Sequence, residues 1–234
     1  MPGRRKKIWI TRAQPAADVT AERVRALGHE ALLAPLLEVR NLDPVEIDLA
    51  GVAALAFSSA NGVRAFAERS GVRELKVFAV GAATAQAARQ AGFRSVLSTE
   101  GDVTALASGI IARRGELKGA VLHAGAAELA GDLTGELTHA GLEARRLILY
   151  ESRPVTLAET QLRSVLRADT VLLHSPRAAR VLAQILRKAP APHLRALGLS
   201  PAVLKPLARI KLAAKAAPPF PLEAALLQLI DRAD

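Results

Sequence analysis

The chain of 234 residues has no cysteine, and aromatic residues make up only 3% of it, with a single tyrosine and a single tryptophan. The first absence removes disulfides, thiolate nucleophiles and cysteine metal sites together, and suits a cytoplasmic protein. The second leaves few rings on which nucleic-acid bases could stack. No apolar run approaches the roughly 20 residues that a membrane-spanning helix needs. The basic start GRRKKIWI passes to Thr11 and Arg12 after three apolar residues, too short for a secretory segment.

The usual catalytic fingerprints are missing as well. There is no G-x-G-x-x-G after a strand and no G-x-x-x-x-G-K-[ST], which removes the signatures of dinucleotide and P-loop chemistry. His29, His123, His139, His174 and His193 show neither H-x-H nor H-E-x-x-H spacing, so no metal site is expected. Gly198-Leu199-Ser200-Pro201-Ala202 loosely imitates a nucleophile elbow, but no histidine follows Ser200 to complete a triad. Close Asp/Glu pairs at strand ends are absent too.

What is present is a regular alternation. Short runs rich in Val, Ile, Leu and Phe (IWIT, AALAF, VFAV, AVLH, TVLLH, LRALGL) are separated by segments with helical spacing. Ala178, Val181, Leu182, Ile185 and Leu186 form one apolar face, and Leu222, Ala225, Leu226, Leu229 and Ile230 another. Gly28, Gly71, Gly92, Gly115 and Gly141 stand where helices would close. Strand–helix alternation of this kind predicts α/β architecture, with parallel sheets covered by helices on both faces.

The pattern occurs twice. The segment from Asp18 resembles that from Asp132, with Gly28 answering Gly141, Arg40 answering Arg153, Ser59 answering Ser175 and Gly81 answering Gly198. The predicted fold is therefore two doubly wound parallel-sheet domains related by an internal repeat. LLEVRNL (36–42) and LILYESRP (147–154) occupy matching, β-prone positions suited to connecting them.

At the predicted strand tips stand Thr11, Ser58, Ser59, Asn61, Gly81, Thr84, Gly125, Ser175, Gly198 and Ser200. Ligands of open α/β sheets bind beyond the carboxyl ends of the strands. There the first N–H groups of a helix are unpaired and attract negative charge. Small residues and hydroxyls at such points read either as anion cradles or as ordinary helix N-caps. A net charge of +10 favours cradles for a small, multiply anionic ligand. Arg12, after the first strand, could meet a carboxylate or be solvated. Trp9 and His174 read as packing, and Tyr150 on its strand as packing or function.

Thr11-Arg12, FSSANGVRAF, VFAVGAATA, LYES, HSPRAA and the late GLS, taken in order, resemble uroporphyrinogen-III synthase. The resemblance runs from Ile8 to about Ile230. It implies a discontinuous domain from residues 1–35 plus 154–234, an inserted domain from 42–146, connecting strands at 36–41 and 147–153, and a cleft between the domains. It also implies hydroxymethylbilane, a polycarboxylate, as the small-molecule substrate. The expected reaction is cyclisation with loss of water and inversion of ring D, with no cofactor. By the same likeness Tyr150 and Thr84 are the catalytic candidates, Tyr150 meeting the departing hydroxyl. Ser59, Asn61, Ser175 and Ser200 match positions that hold substrate carboxylates; Thr11, Arg12, Ser58, Gly81 and Gly198 join them from the strand tips. The loop from His123 to Gly131 carries no arginine of its own, which weakens any carboxylate contact there. A monomer is expected, with no nucleic-acid or membrane partner. A non-catalytic two-domain protein that binds a small polyanion is the other reading.

Overall fold

The computed structural model describes residues 4–43, 46–129 and 131–232; residues 1–3 and 233–234 of the expected discontinuous domain, 44–45 of the inserted domain and 130 of the 123–131 loop lie outside these. The chain divides into two compact units. One is discontinuous, Met1–Glu38 with Arg153–Asp234, and the other is continuous, Val39–Ser152.

In the discontinuous unit, β1 (Lys7–Ile10), α1 (Ala16–Ala26) and β2 (Glu30–Leu33) come from the start of the chain. The rest of it is α6 (Glu159–Val165), β9 (Thr170–Leu173), α7 (Pro176–Lys188), β10 (Arg195–Gly198), α8 (Pro201–Leu204), β11 (Ala214–Ala216) and α9 (Glu223–Gln228). Its sheet runs β11-β10-β9-β1-β2, parallel throughout.

The continuous unit contains β4 (Val52–Phe57), α2 (Ala60–Ala67), β5 (Lys76–Val80), α3 (Gly81–Gln90), β6 (Val96–Thr99), α4 (Val103–Ile111), β7 (Ala120–Ala126) and α5 (Leu133–His139). The strands β3 (Leu37–Asn41) and β8 (Ala144–Pro154) each run through a point where the chain passes from one unit to the other. The second sheet has the order β3-β8-β7-β4-β5-β6.

Comparing the two orders resolves the repeat. Apart from β3, β6-β5-β4-β7-β8 matches β11-β10-β9-β1-β2 strand for strand. Each unit takes a β-α-β from one repeat and its remaining strands from the other, so the halves are exchanged between the copies. In both sheets the strand order reverses next to the first β-α-β, at β1/β9 and at β4/β7. Reversal points of this kind are where open α/β sheets leave a crevice for ligands.

The elements follow from local chemistry. Central strands buried on both faces read as unbroken apolar runs: β9 and the first six residues of β7 are fully buried. Helix α7 begins with the Ser175 cap and Pro176, where a missing N–H costs nothing, and ends in Arg187 and Lys188, which suit the negative end of the helix dipole. Its Ala178, Val181, Leu182 and Leu186 are buried beneath it. Trp9 is fully buried with its indole N–H donated to Ala34 O at 2.8 Å, so no polar group is stranded in that core. Phe57, Phe66 and Phe93 meet with ring centroids 5.8–6.2 Å apart in the continuous unit.

Three of the glycine expectations hold, and two require correction. Gly28, Gly92 and Gly141 have positive φ and close α1, α3 and α5. At α1, for example, Gly28 N donates to Arg25 O and His29 N to Val24 O, which satisfies carbonyls the helix leaves free. Gly71 and Gly115 do not have positive φ and close no helix. After α2 an arginine does the work instead: Arg73 donates to Ala67 O, Ser70 O and Ala91 O and lies 5.1 Å from the Phe93 ring centroid. Gly115 lies within a single 3-10 turn, Arg114–Glu116. Leu222, expected on the apolar face of the last helix, is 55% exposed. It is the N-cap of α9, in extended conformation, and Leu227 is buried instead.

Candidate functional site

Four neighbouring strands of the continuous unit bring polar groups to their carboxyl ends. After β4 come Ser58 and Ser59. Ser59 is the N-cap of α2, with φ −158° and ψ 154°, and its Oγ accepts from Gly62 N at 3.3 Å. Tyr150, on β8, is level with Ala126 at the end of β7 and is only 4% exposed. Its hydroxyl lies 2.6 Å from Ser59 Oγ. Burial raises the Tyr150 pKa, while Ser59 and the Arg64 guanidinium act in the opposite direction. The net effect is a phenol that stays protonated and able to donate at neutral pH.

Next to this pair, Ser58 Oγ lies 3.3 Å from His123 Nε2. His123 is buried and its Nδ1 has no hydrogen-bond partner. Burial, aided by the charge of Arg146, lowers its pKa to about 4, so the ring is neutral. Arg146 also donates to Ala126 O and Ala127 O, so the loop after β7 is braced by an arginine from β8 although it carries none itself. Asn61 is not free: its Oδ1 accepts from Arg64. One strand further, Gly81 opens α3 with φ +72°, a conformation that only glycine adopts readily, and Thr84 is buried in the first turn.

A second cluster occupies the reversal point of the discontinuous unit. Thr11 is fully buried and spends its hydroxyl on Leu172 O at 2.6 Å, tying β1 to β9. Arg12 Nη1 lies 2.9 Å from Glu223 Oε1, and Thr20 and Arg23 also donate to that carboxylate. His174 Nε2 is 3.3 Å from Glu223 Oε1, an ion-pair distance without hydrogen-bond alignment. Burial works to raise the Glu223 pKa, but His174, Thr20 and Arg12 outweigh it and hold it down at about 2. Burial also lowers the His174 pKa, partly countered by Glu223, so the imidazole is neutral and Glu223 charged near neutrality.

Ser175 reproduces Ser59. It caps α7 with φ −148° and ψ 149°, and its Oγ accepts from Ala178 N at 3.2 Å. Ser200 precedes α8 without a side-chain cap bond. Gly198 is enclosed: a Cβ there would come within 2.7 Å of Leu204 Cγ.

The structure thus joins Ser58, Ser59 and Tyr150 in one cluster and Thr11, Arg12 and Ser175 around another reversal point. Sequence reasoning missed Glu223 and Arg64, and assigned His174 to packing alone. An acidic residue in the first turn of LEAALLQ was the available signal for Glu223, but nothing local told of its partners. Among the described residues, no group of three His, Cys, Asp or Glu side chains could hold a metal ion. No helix among them is long and apolar enough to cross a membrane.

Fold and sites define a doubly wound α/β protein with hydroxyls and helix N-termini gathered at the carboxyl ends of its strands. The sequence model of the family described as uroporphyrinogen-III synthase HemD matches residues 18–228, and the chain belongs to that family. No curated protein matches the sequence. Among solved structures, uroporphyrinogen-III synthetase from Helicobacter pylori superposes with a TM-score of 0.70 at 17% identity, covering 97% of this chain and 98% of that one. A mutant uroporphyrinogen III synthase from Thermus thermophilus superposes with a TM-score of 0.58 at 16% identity, again over 97% and 98%. At such identities these two likenesses establish the fold.

Proposed function

We propose that the protein cyclises hydroxymethylbilane to uroporphyrinogen III. The observation that carries this reading, beyond family membership, is the only tyrosine of the chain: buried, protonated and bonded to the cap of a helix N-terminus. Tyr150 gives its proton to the terminal hydroxyl of the substrate, which leaves as water. The electron pair for this departure comes from the adjacent pyrrole, which becomes an electrophilic azafulvene. The substituted carbon of ring D attacks it to form a spiro intermediate. That intermediate fragments and recloses with ring D inverted, and the proton lost on rearomatisation returns the phenol to its starting state.

Most of the catalysis is holding the chain so that inversion precedes simple closure, which is an effect of position and of charge. Thr84, buried in the first turn of α3, is the second catalytic group; Gly81 and the backbone N–H groups at Ser59, Ser175, Gly198 and Ser200 receive substrate carboxylates, with Asn61, Ser58, Thr11 and Arg12 shaping those cradles. The two domains are the two repeat-exchanged units, and the enzyme works as a monomer.

The test is an isomer analysis. Hydroxymethylbilane is generated in the presence of the purified protein, and the oxidised product is separated into type I and type III uroporphyrin. Predominant type III is expected. Type I alone, at the spontaneous rate, would overturn the reading in favour of non-catalytic polyanion binding.

A further inference from the structure

The two serines that answer each other in the repeat are not used alike. Ser59 and Ser175 have nearly the same backbone conformation and cap their helices through the same side-chain bond, to Gly62 N and Ala178 N. Ser175 makes no other side-chain bond among the described contacts, whereas Ser59 also meets the Tyr150 hydroxyl at 2.6 Å. Capping alone therefore does not explain Ser59. Nor does it call for serine, since Asp102 and Asp132 cap α4 and α5 in the same unit, accepting from Ala105 N and Gly135 N. An aspartate at position 59 would cap as well but would carry no proton to give. A serine hydroxyl accepts and donates at once.

The direction of the Ser59–Tyr150 bond follows from the charge it must meet. If Tyr150 donated to Ser59, its proton would be committed inside the protein. Once the phenol has given that proton away, its oxygen can only accept. Ser59, already polarised by the Gly62 N–H at the positive end of α2, is placed to donate to it. The chain Gly62 N–H, Ser59 Oγ–H, Tyr150 Oη then points the phenolic proton outward and supports the oxygen left behind.

We propose that Ser59 is the positioning residue of the Tyr150 proton donor, relaying the N-terminal field of α2 to the phenolic oxygen, rather than a hydroxyl ligand of the substrate. This rests on the reading of Tyr150 as the donor in hydroxymethylbilane cyclisation. Arg64, hydrogen-bonded to Asn61 in the same helix, adds positive charge that favours the phenolate.

Because Tyr150 is the only tyrosine, its ionisation can be followed directly by ultraviolet absorbance in the substrate-free protein. Ser59→Gly removes the donor while glycine remains an acceptable residue at a helix N-cap. It should raise the apparent pKa of Tyr150 and lower kcat about ten- to a hundredfold, the loss of one hydrogen bond to a charged oxygen, with a smaller change in KM. Ser59→Thr, which keeps the hydroxyl, should restore both. Ser175→Gly, the same cap without a phenol, should leave the Tyr150 titration where it was. A Ser59→Gly protein with unchanged Tyr150 titration would overturn the relay, as would a loss expressed in KM alone. Failure of the functional reading itself shows separately, as absence of the type III isomer from the wild-type protein, and removes the reaction role whatever the titration shows.

Discussion

Arg12 and Glu223 meet at 2.9 Å across 211 positions of sequence, joining the turn after the first strand to the first turn of α9. The pair closes the discontinuous unit: the ends of the chain are held where β1 and β9 part, and Glu223 carries the negative charge against which Arg12, Thr20 and His174 are arranged.

Glu223→Gln should therefore destabilise the protein at neutral pH by about 1–3 kcal/mol, since it leaves the partly buried Arg12 guanidinium without its counter-charge. Arg23, 53% exposed, contributes little of this. The folded pKa of about 2 lies below the ordinary glutamate value of 4.5, so the stabilisation is present above pH 4.5 and is lost as pH falls toward 2. Urea unfolding of wild type and variant should differ at pH 7, draw together below pH 4.5 and converge only near pH 2. A gap that stays constant with pH would mean the carboxylate charge is not its source.

His123 acts in the same direction for the opposite chemical reason. Its neutral form is favoured in the fold: the unfolded chain takes up a proton below pH 6.5, the folded protein only near 4. Stability should fall by about 3 kcal/mol across that window. His123→Asn should remove about one proton from the linkage, seen as a shallower fall of unfolding free energy between pH 6.5 and 4.

Gly62→Ala tests how closely α2 approaches β7. A Cβ at Gly62 would stand 2.8 Å from Ala124 O, a backbone atom that cannot swing aside. The expected cost is about 1–3 kcal/mol, read as a lowered Tm, because the helix must move off the sheet. Gly71→Ala, with open space and no positive φ, should leave Tm nearly unchanged.

Tyr150→Phe separates chemistry from binding. The ring keeps its buried place and only a hydroxyl is lost, so the unfolding free energy should change by about 1 kcal/mol or less. Turnover to the type III isomer should fall by about 10²–10⁴-fold, the usual worth of a positioned acid, while product affinity stays near that of wild type. Equal losses in both would assign Tyr150 to binding.

The elements that the sequence announced are the ones with a signature within a few residues. β4, β5, β7 and β9 are buried on both faces and read as apolar runs. Gly28, Gly92 and Gly141 sit at helix ends where only glycine relaxes. The strands left unread, β2, β6 and β11, are sheet edges, four residues or fewer and less than fully buried, so no run of Val or Ile marks them. Gly71 misled because Arg73, from across a loop, caps α2 in place of a glycine.

By itself the sequence determined the alternation, the repeat and the small polar residues at the strand tips. All three arise from periodicity and backbone demands that act over one or two turns of chain. Which partner each polar residue takes was decided by tertiary structure alone. The exchange of β-α-β segments between repeats brings Tyr150 to Ser59 from 91 positions away and Glu223 to Arg12 from 211. A hydroxyl or a carboxylate looks the same in a string of letters whatever it meets, because hydrogen-bond geometry and burial depend on neighbours that only the folded sheet supplies.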